Sequence, residues 1–462
     1  MMLSGDKTFI GFDSHCHLHF SHFEKDLDAV IDRSRSAGIT SICIPGIDVE
    51  TSRIAADIAE KYNLYSAAAL HPEHLPAENE DENENWLGIK RILLRPNTIA
   101  IGETGLDLFH QTFPLEFQKK WFIKHIQLAE ALGYPLIVHS RDAEREVLET
   151  LPQSPSVPVI LHCWAGNQEL TDIAIERGFY IGIGGPLTYK KNGNLRQIIK
   201  SIPHSKLLVE TDAPFLPPEP FRGKRNEPSF SIKVIEKIRE LWSNNMSIEG
   251  VSFSLWENAM KAFRIYPNFR RADIVYLYGT ALYVNVTSKC NNNCNFCIGN
   301  TADGLDGYFL RHATDPTEKQ VLSTIREYPI EDYEEIVFCG FGEPTLRHDL
   351  IMTCAKVAKQ RGVRTRLNTN GLCTAFLEEN EVIVLLNCFD SVSISLNASG
   401  EKEYSRICQP SIDNGWKNLL KFINFAKKSA VATQLSVVED SRADISRVKA
   451  LAGRLELPLR IR

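Results

Sequence analysis

His15, His17, Glu103, His139, His162 and Asp212 are imidazoles and carboxylates scattered over the first half of the chain, whereas Cys290, Cys294 and Cys297 are thiols packed close together in the second. Hard and borderline divalent cations favour the first kind of donor. Closely spaced thiolates suit an iron-sulfur cluster or zinc, so one metal does not serve both sets. His15 and His17 stand two apart at the end of a predicted strand, where period-two geometry points both the same way and turns Cys16 aside. Four imidazoles and two carboxylates can hold two divalent ions, provided one carboxylate bridges. Such a pair lowers the pKa of a shared water and clamps the attacking and leaving oxygens of a phosphoester, so the expected reaction is hydrolysis. The thiols, spaced Cys-x3-Cys-x2-Cys, leave one iron of a 4Fe-4S cluster without a protein ligand, a place for a small chelating molecule. Zinc is the alternative, but it wants a fourth ligand and none stands at finger or knuckle spacing.

These residues need elements to position them. From Phe9 to about Ile265, short β-branched runs alternate with amphipathic stretches of helical length, the pattern of βα units around a parallel sheet. Candidate strands end near Asp13, Pro45, Leu70, Glu103, Val138, Cys163, Ile183 and Glu210. Eight strands in roughly 250 residues predict an N-terminal (βα)8 TIM barrel, with each candidate ligand at the carboxyl end of a strand, where barrel enzymes place their chemistry. Phe117, Trp121, Leu128 and Leu132 fall at helical spacing between Leu115 and Leu132 and are read as core. The acidic run Glu78 to Asn85 reads as a solvated loop leading into a helix. A helix from Ser247 to Phe263 closes the first domain, 1–265, and 266–279 reads as a linker. A second βα series fills 280–462, with strands at Ala281 to Thr287, Glu335 to Cys339, Arg364 to Asn368, Ser391 to Leu396, Thr433 to Val438 and Leu457 to Ile461. Six units predict a partial (βα)6 barrel with an open side, so the chain is α/β throughout.

Composition narrows the classes. A chain of 462 residues suggests two domains on a prior of about 150 residues each. Hydrophobic residues at 43% and charged residues at 24% are ordinary for soluble protein. A net charge of −6 provides no overall basic field, which weighs against a sequence-reading nucleic-acid binder but not against an enzyme that grips one phosphate through bound cations. No run approaches the roughly 18 apolar residues of a membrane span, and Met1 to Lys7 lacks a signal pattern, so a cytoplasmic location with no membrane partner is expected. In a reducing compartment the eleven cysteines are expected free. Cys339, Cys354, Cys373, Cys388 and Cys408 show no second cluster spacing and read as small buried side chains.

Seven strings carry a resemblance: Phe-Asp-Ser-His-Cys-His-Leu, Leu-His-Pro-Glu, Gly-Glu-Thr-Gly-Leu-Asp, Val-His-Ser-Arg-Asp-Ala, His-Cys-Trp-Ala-Gly, Glu-Thr-Asp-Ala-Pro-Phe-Leu and Arg-Gly-Lys-Arg-Asn-Glu-Pro. In this order, over residues 9–265, they resemble the TatD metal-dependent deoxyribonucleases of the amidohydrolase superfamily. The resemblance implies one divalent metal (magnesium, manganese or zinc) at His15, His17, Glu103 and Asp212 and a second at Glu103, His139 and His162. Glu103 would bridge, and Asp212 would help take the proton from the attacking water. It implies DNA or another nucleotide-containing substrate, with His71 near substrate phosphate. Arg222 and Arg225, in the loop after the eighth strand, could also meet phosphate or simply be solvated. His162 is followed by Cys163 and Trp164, where relatives often carry an aromatic and then a small polar residue.

The second half resembles the radical S-adenosylmethionine (SAM) superfamily. Gly340-Phe341-Gly342-Glu343-Pro344 is similar to that family's Gly-Gly-Glu-Pro turn, with Phe341 standing for a glycine; its backbone and Glu343 would meet the methionine amino group. Asn368, Asn370 and Ser395 fall where relatives contact ribose and carboxylate. The resemblance implies a 4Fe-4S cluster, an electron donor that reduces it, cleavage of S-adenosylmethionine, and hydrogen abstraction by a 5′-deoxyadenosyl radical. The fusion as a whole resembles TatD-associated radical SAM proteins. The leading reading is a bifunctional enzyme. The alternatives are a barrel that hydrolyses a C–N or lactone bond, or one half acting as a non-catalytic binding scaffold.

Overall fold

The computed structural model describes residues 9–76, 82–242, 246–265 and 271–462. Met1 to Lys7, the start of the acidic run and the first residues of the expected linker lie outside them. The chain divides into two compact units, Met1–Arg270 and Arg271–Arg462.

In the first unit, eight parallel strands pair strictly in chain order: β1 (Gly11–Asp13), β2 (Ile39–Pro45), β3 (Tyr65–Ala68), β4 (Thr98–Asp107), β5 (Leu136–Arg141), β6 (Val159–Leu161), β7 (Tyr180–Ile183) and β8 (Leu207–Val209). The seam between β8 and β1 is stitched beyond the strands themselves. Ser14 N donates to Val209 O at 3.0 Å, Asp212 N to His15 O at 2.9 Å and His17 N to Ala213 O at 2.8 Å. The barrel is therefore joined through the residues expected to bind metal. Opposite that rim, Phe12, Cys43, Ala67, Ala100, Ile137, Ile160 and Leu208 form a core layer against the closing helix Ile248–Ala262. Phe12 stacks on Phe263 with centroids 5.4 Å apart. Trp121, Leu128 and Leu132 of the helix Leu115–Leu132 are buried as expected, while Phe117 is half-buried.

Three strands stop one or two residues short of the expected ends, at Ala68, Leu161 and Val209, and two run well past them. β4 continues past Glu103 to Asp107, and β5 continues past Val138 to Arg141. The cause is a register shift between Ile101 and Thr104, after which Thr104–Asp107 pair with Val138–Arg141. Such a bulge re-aims the residue it contains, here Glu103. The two chains approach closely beyond it: a β-carbon at Gly105 would overlap the carbonyl oxygen of His139.

In the second unit, six strands run parallel in the order β17, β16, β15, β14, β13, β10, with β9 antiparallel on the edge. Their ranges are β9 (Val275–Tyr278), β10 (Ala281–Val284), β13 (Glu335–Phe338), β14 (Arg364–Thr369), β15 (Ser391–Ser395), β16 (Ala432–Val437) and β17 (Leu459–Ile461); a small hairpin, β11 (Gly304–Leu305) with β12 (Tyr308–Phe309), stands apart. All six expected strands are present, in a partial barrel that leaves β9 and β17 as edges. The stretch 266–279 is more than a linker, because Val275–Tyr278 pairs with Ala281–Val284 through a turn at Gly279, whose φ is +63°. The physical reason is local: two alternating apolar and aromatic runs flank Gly-Thr, a hairpin pattern.

Candidate active sites

At the carboxyl rim of the first unit, side chains from β1, β4, β5, β6 and β8 or the residues just after them converge. His15 Nε2 lies 3.1 Å from His17 Nε2 and 3.2 Å from Glu103 Oε2. His17 Nε2 is 3.5 Å from both Glu103 Oε2 and Asp212 Oδ1, and His15 Nε2 is 3.9 Å from Asp212 Oδ1. On the other side of the same carboxylate, Glu103 Oε1 is 2.6 Å from His162 Nε2 and 2.7 Å from His139 Nδ1, and those two nitrogens are 3.3 Å apart. Donors about 3.0–3.4 Å apart are what a cation with bonds of about 2.1 Å gathers around itself. Each oxygen of Glu103 thus serves a different donor group, the arrangement a bridging carboxylate requires, and the donor chemistry fits two divalent cations.

Neighbouring groups set the tautomers. His17 Nδ1 faces Pro45 O at 3.2 Å and, protonated, donates to that carbonyl, so Nε2 keeps a lone pair for the site. His139 is turned the other way: Nε2 faces Asp107 Oδ2 at 3.1 Å, which leaves Nδ1 as the donor. Asp13, wholly buried, accepts from Thr211 N at 2.9 Å and Thr211 Oγ1 at 2.5 Å and pins β1 to the segment after β8. Glu210, also buried, accepts from Cys163 N and so holds the chain next to His162. Asp107, Asp13 and Glu210 were not singled out from sequence. Asp107 ends one of the quoted motifs, but nothing in its type or spacing assigns it to a histidine.

The electrostatics follow from burial against clustered charge. Burial raises the Glu103 carboxyl, but His162, His15 and His71 around it hold it well below the usual carboxylate range. Burial lowers His162, yet Glu103 beside it keeps it up at about 9. His15, buried and stacked on His162 with centroids 3.9 Å apart, is pushed down to about 4. Asp212 is held below its ordinary value, burial notwithstanding, by its bond to His17 and the charge of His162.

Of the residues expected at phosphate, His71 is at the site. It is buried, with Nε2 3.6 Å from Glu103 Oε1, and Glu73 N donates to its Nδ1 at 3.2 Å, so Nε2 carries the proton and presents it inward. Arg222 is exposed and lies over the Tyr189 ring at 4.1 Å. Arg225 is paired with Asp26 at 2.7 and 2.8 Å, a partner that neither the phosphate nor the solvated reading named.

In the second unit the thiol loop follows β10. Cys290 Sγ accepts from Asn292 N at 3.4 Å and Asn370 Nδ2 at 3.7 Å, and Cys297 N donates to Cys294 O at 3.1 Å. The turn after β13 packs on this loop, since Glu343 N donates to Lys289 O at 2.8 Å and a β-carbon at Gly342 would overlap that same carbonyl. Gly340 sits as tightly against Asn285. Glu343 is buried, and its carboxylate accepts from Thr345 Oγ1 at 2.6 Å, Thr369 Oγ1 at 2.7 Å and Asn370 N at 2.8 Å. Asn370 thus meets the Cys290 thiol, Gly342 and Glu343 pack on the thiol loop at Lys289, and Gly340 packs on Asn285 just after β10. Asn368 takes a bond from Arg366 at 3.2 Å, and Ser395 lies 3.5 Å from Arg462 Nη2. Asn368 pairs in register with Ser393, two residues from Ser395 on the neighbouring strand. Amide donors aimed at a sulfur suit a thiolate ligand, and three thiols on a loop so braced fit a cluster.

Comparisons with known proteins agree with this geometry. A family model, TatD related DNase, matches residues 12–264, and a second, Radical SAM superfamily, matches residues 284–438. The chain is 37% identical over 257 residues to the uncharacterized metal-dependent hydrolase YabD of Bacillus subtilis, covering 55% of this chain and 99% of that protein. It is 35% identical over 239 residues to the 3′-5′ ssDNA/RNA exonuclease TatD of Salmonella typhimurium, covering 50% of this chain and 90% of that protein. The crystal structure of YJJV, a TatD homolog from Escherichia coli K12, superposes with a TM-score of 0.51 at 29% identity, covering 55% of this chain and 98% of that one. Among the described residues, no helix is long and apolar enough to cross a membrane.

Proposed function

Because the chain belongs to the TatD related DNase family and carries a radical SAM domain after it, we propose that it is a bifunctional enzyme whose first unit hydrolyses phosphodiester bonds of single-stranded nucleic acid with two divalent ions and whose second unit is a 4Fe-4S radical SAM enzyme. The observation that carries the hydrolase reading is the division of Glu103, with Oε2 toward His15 and His17 and Oε1 toward His139 and His162. In this reading His15, His17, Glu103 and Asp212 hold one ion, and Glu103, His139 and His162 hold the other. When bound, the two ions supply a water of lowered pKa and neutralise charge on the phosphate. The chain supplies the rest. Asp212, ionised at neutral pH and half-buried at the rim, accepts a proton from the nucleophile. His71, held neutral by burial, which lowers it to about 4, donates its Nε2 proton to a phosphate oxygen. Pro45 O and Asp107 fix the two imidazole tautomers, so His17 and His139 enter each cycle as acceptors.

In the second unit Cys290, Cys294 and Cys297 hold the cluster, the Gly340 to Glu343 turn and Asn370 brace their loop, and Asn368 and Ser395 line the strands toward S-adenosylmethionine. When bound, cluster and cofactor supply one-electron cleavage and hydrogen abstraction, and an external electron donor is required.

The hydrolase reading is tested by release of nucleotides from single-stranded DNA with manganese or magnesium, in the native chain and in Glu103→Ala. Loss of at least about 100-fold in kcat/KM together with loss of bound divalent metal is expected, since each ion loses a ligand. Turnover of a lactone or amide with DNA left intact would overturn it.

A further inference from the structure

The last turn of the helix Glu401–Cys408 lies against the thiol loop. Asn292 and Pro410 form an antiparallel bridge. Asn293 N donates to Cys408 O at 3.0 Å and Gln409 O at 3.2 Å, Asn295 N donates to Ile407 O at 3.1 Å, and Ser411 N donates to Asn291 O at 2.9 Å. The residues on either side of Cys294 are thus bonded to the residues around Cys408. This holds position 294 opposite position 408. Of the other two thiols of the loop, Cys290 accepts from Asn292 N and Asn370 Nδ2, and Cys297 lies beside Gly299. Cys408 is buried, at 1% exposure, and neither reaction proposed above uses it.

We propose that Cys294 and Cys408 form a redox modification site, a reversible disulfide made when the cluster is lost. The inference rests on the reading of Cys294 as a cluster ligand. One sulfur cannot bind iron and Cys408 at once, so the disulfide and the loaded cluster exclude each other. The oxidant is a peroxide. The Cys294 thiolate attacks one oxygen of hydrogen peroxide, the O–O bond breaks, and hydroxide leaves and is protonated to water, giving a sulfenic acid. The Cys408 sulfur then attacks that sulfur, the S–O bond breaks, and a second water leaves with the Cys408 proton. Two thiols and one peroxide become one disulfide and two waters. A partner held opposite by the paired backbones lets this second step outrun further oxidation to the irreversible sulfinic acid, and reduction by a dithiol returns Cys294 for reloading. Burial of Cys408 directs it to this internal partner rather than to another chain.

The test uses the full chain, reconstituted anaerobically or stripped of iron by a chelator. Each sample is divided, one portion receiving one equivalent of hydrogen peroxide and the other none, and both are quenched with an alkylating agent under denaturing conditions and mapped by peptide mass spectrometry. In the stripped protein a Cys294–Cys408 link is expected to exceed any link to Cys290 or Cys297 by more than 10-fold. It should disappear with dithiothreitol, after which iron reloads to the starting level. A loaded sample kept from oxidant should show no link. Cys408→Ser should bind as much iron as the native chain but lose several-fold in reloading after peroxide, with sulfinic acid at position 294. Cys408→Ala repeats the measurement in case the serine is not tolerated, with divalent metal in the first unit as the folding control. Cys408 recovered free, or linked to another cysteine, in oxidised stripped protein would overturn the proposal. Cys294→Ala separates the two readings: full iron in that variant would remove the ligand reading and the exclusion built on it, whereas iron loss there without a 294–408 link in the native chain would remove the disulfide alone.

Discussion

Asp107 does for His139 what the Pro45 carbonyl does for His17: each accepts the N–H of one ring nitrogen, so the other nitrogen faces Glu103 as a lone pair. An imidazole freed from such a partner can turn or change tautomer, and removing the partner typically weakens metal binding by about 10–100-fold. Asp107→Ala is therefore expected to lower divalent-metal affinity by about that much at the ion held by His139 and His162, and far less at the ion held by His15 and His17. Metal titration followed by calorimetry checks this, and two equal affinities matching the native chain would refute it. The side chains that converge at the rim were legible in the sequence as imidazoles and carboxylates following predicted strands. Asp107 was not, because its role depends on β4 running four residues beyond Glu103 so that it meets the ring from β5. Arg225 shows a different limit. A basic residue in a rim loop leaves a phosphate contact and a solvated surface both open, and the fold supplies a partner of its own, Asp26, nearly two hundred positions away and 2.7 Å from it.

At the level of elements, the bulge in β4 builds the site. It turns Glu103 toward the rim, and the strand resumes its pairing only because Gly105 has no side chain to strike His139 O. Gly105→Ala forces the two strands apart at the point where they carry Glu103 and His139, the proposed bridging carboxylate and ligand imidazole. Overpacking of this kind costs about 1–3 kcal/mol, so a lower melting temperature of the first unit is expected together with reduced divalent-metal content. Unchanged melting would show that the strands yield freely. Alternation of hydrophobic and helical periods revealed the eight strands and the later six, since burial on both faces writes a parallel strand as a short apolar run. The bulge and β9 were hidden for different reasons. A register shift leaves no compositional mark, and Val275–Tyr278 stands among the residues of an expected linker, where its partner is recognised only once the turn at Gly279 is seen to fold it onto β10.

For the whole molecule, the decisive fact is the separation of ligand sets. Every proposed divalent-metal ligand lies within residues 12–264 and every proposed cluster thiolate within 284–438, and the two compact units divide between them at Arg270 and Arg271. Neither donor set borrows a side chain from the other unit, and the preferences of the two sets differ, hard and borderline cations against iron with thiolate. Loss of one centre therefore removes no ligand from the other. In the full chain, Cys294→Ala is expected to abolish iron binding while divalent-metal content and nuclease kcat/KM stay within about twofold, since no donor of that site changes. Conversely, Glu103→Ala should leave the iron content of anaerobically reconstituted protein unaltered. Parallel metal analysis and nuclease assay of both variants decide the matter. A fall of the nuclease in Cys294→Ala with the first unit still folded and metal-loaded would mean that the two reactions are joined through the protein, and that the fusion has made one coupled enzyme out of two separately assembled sites.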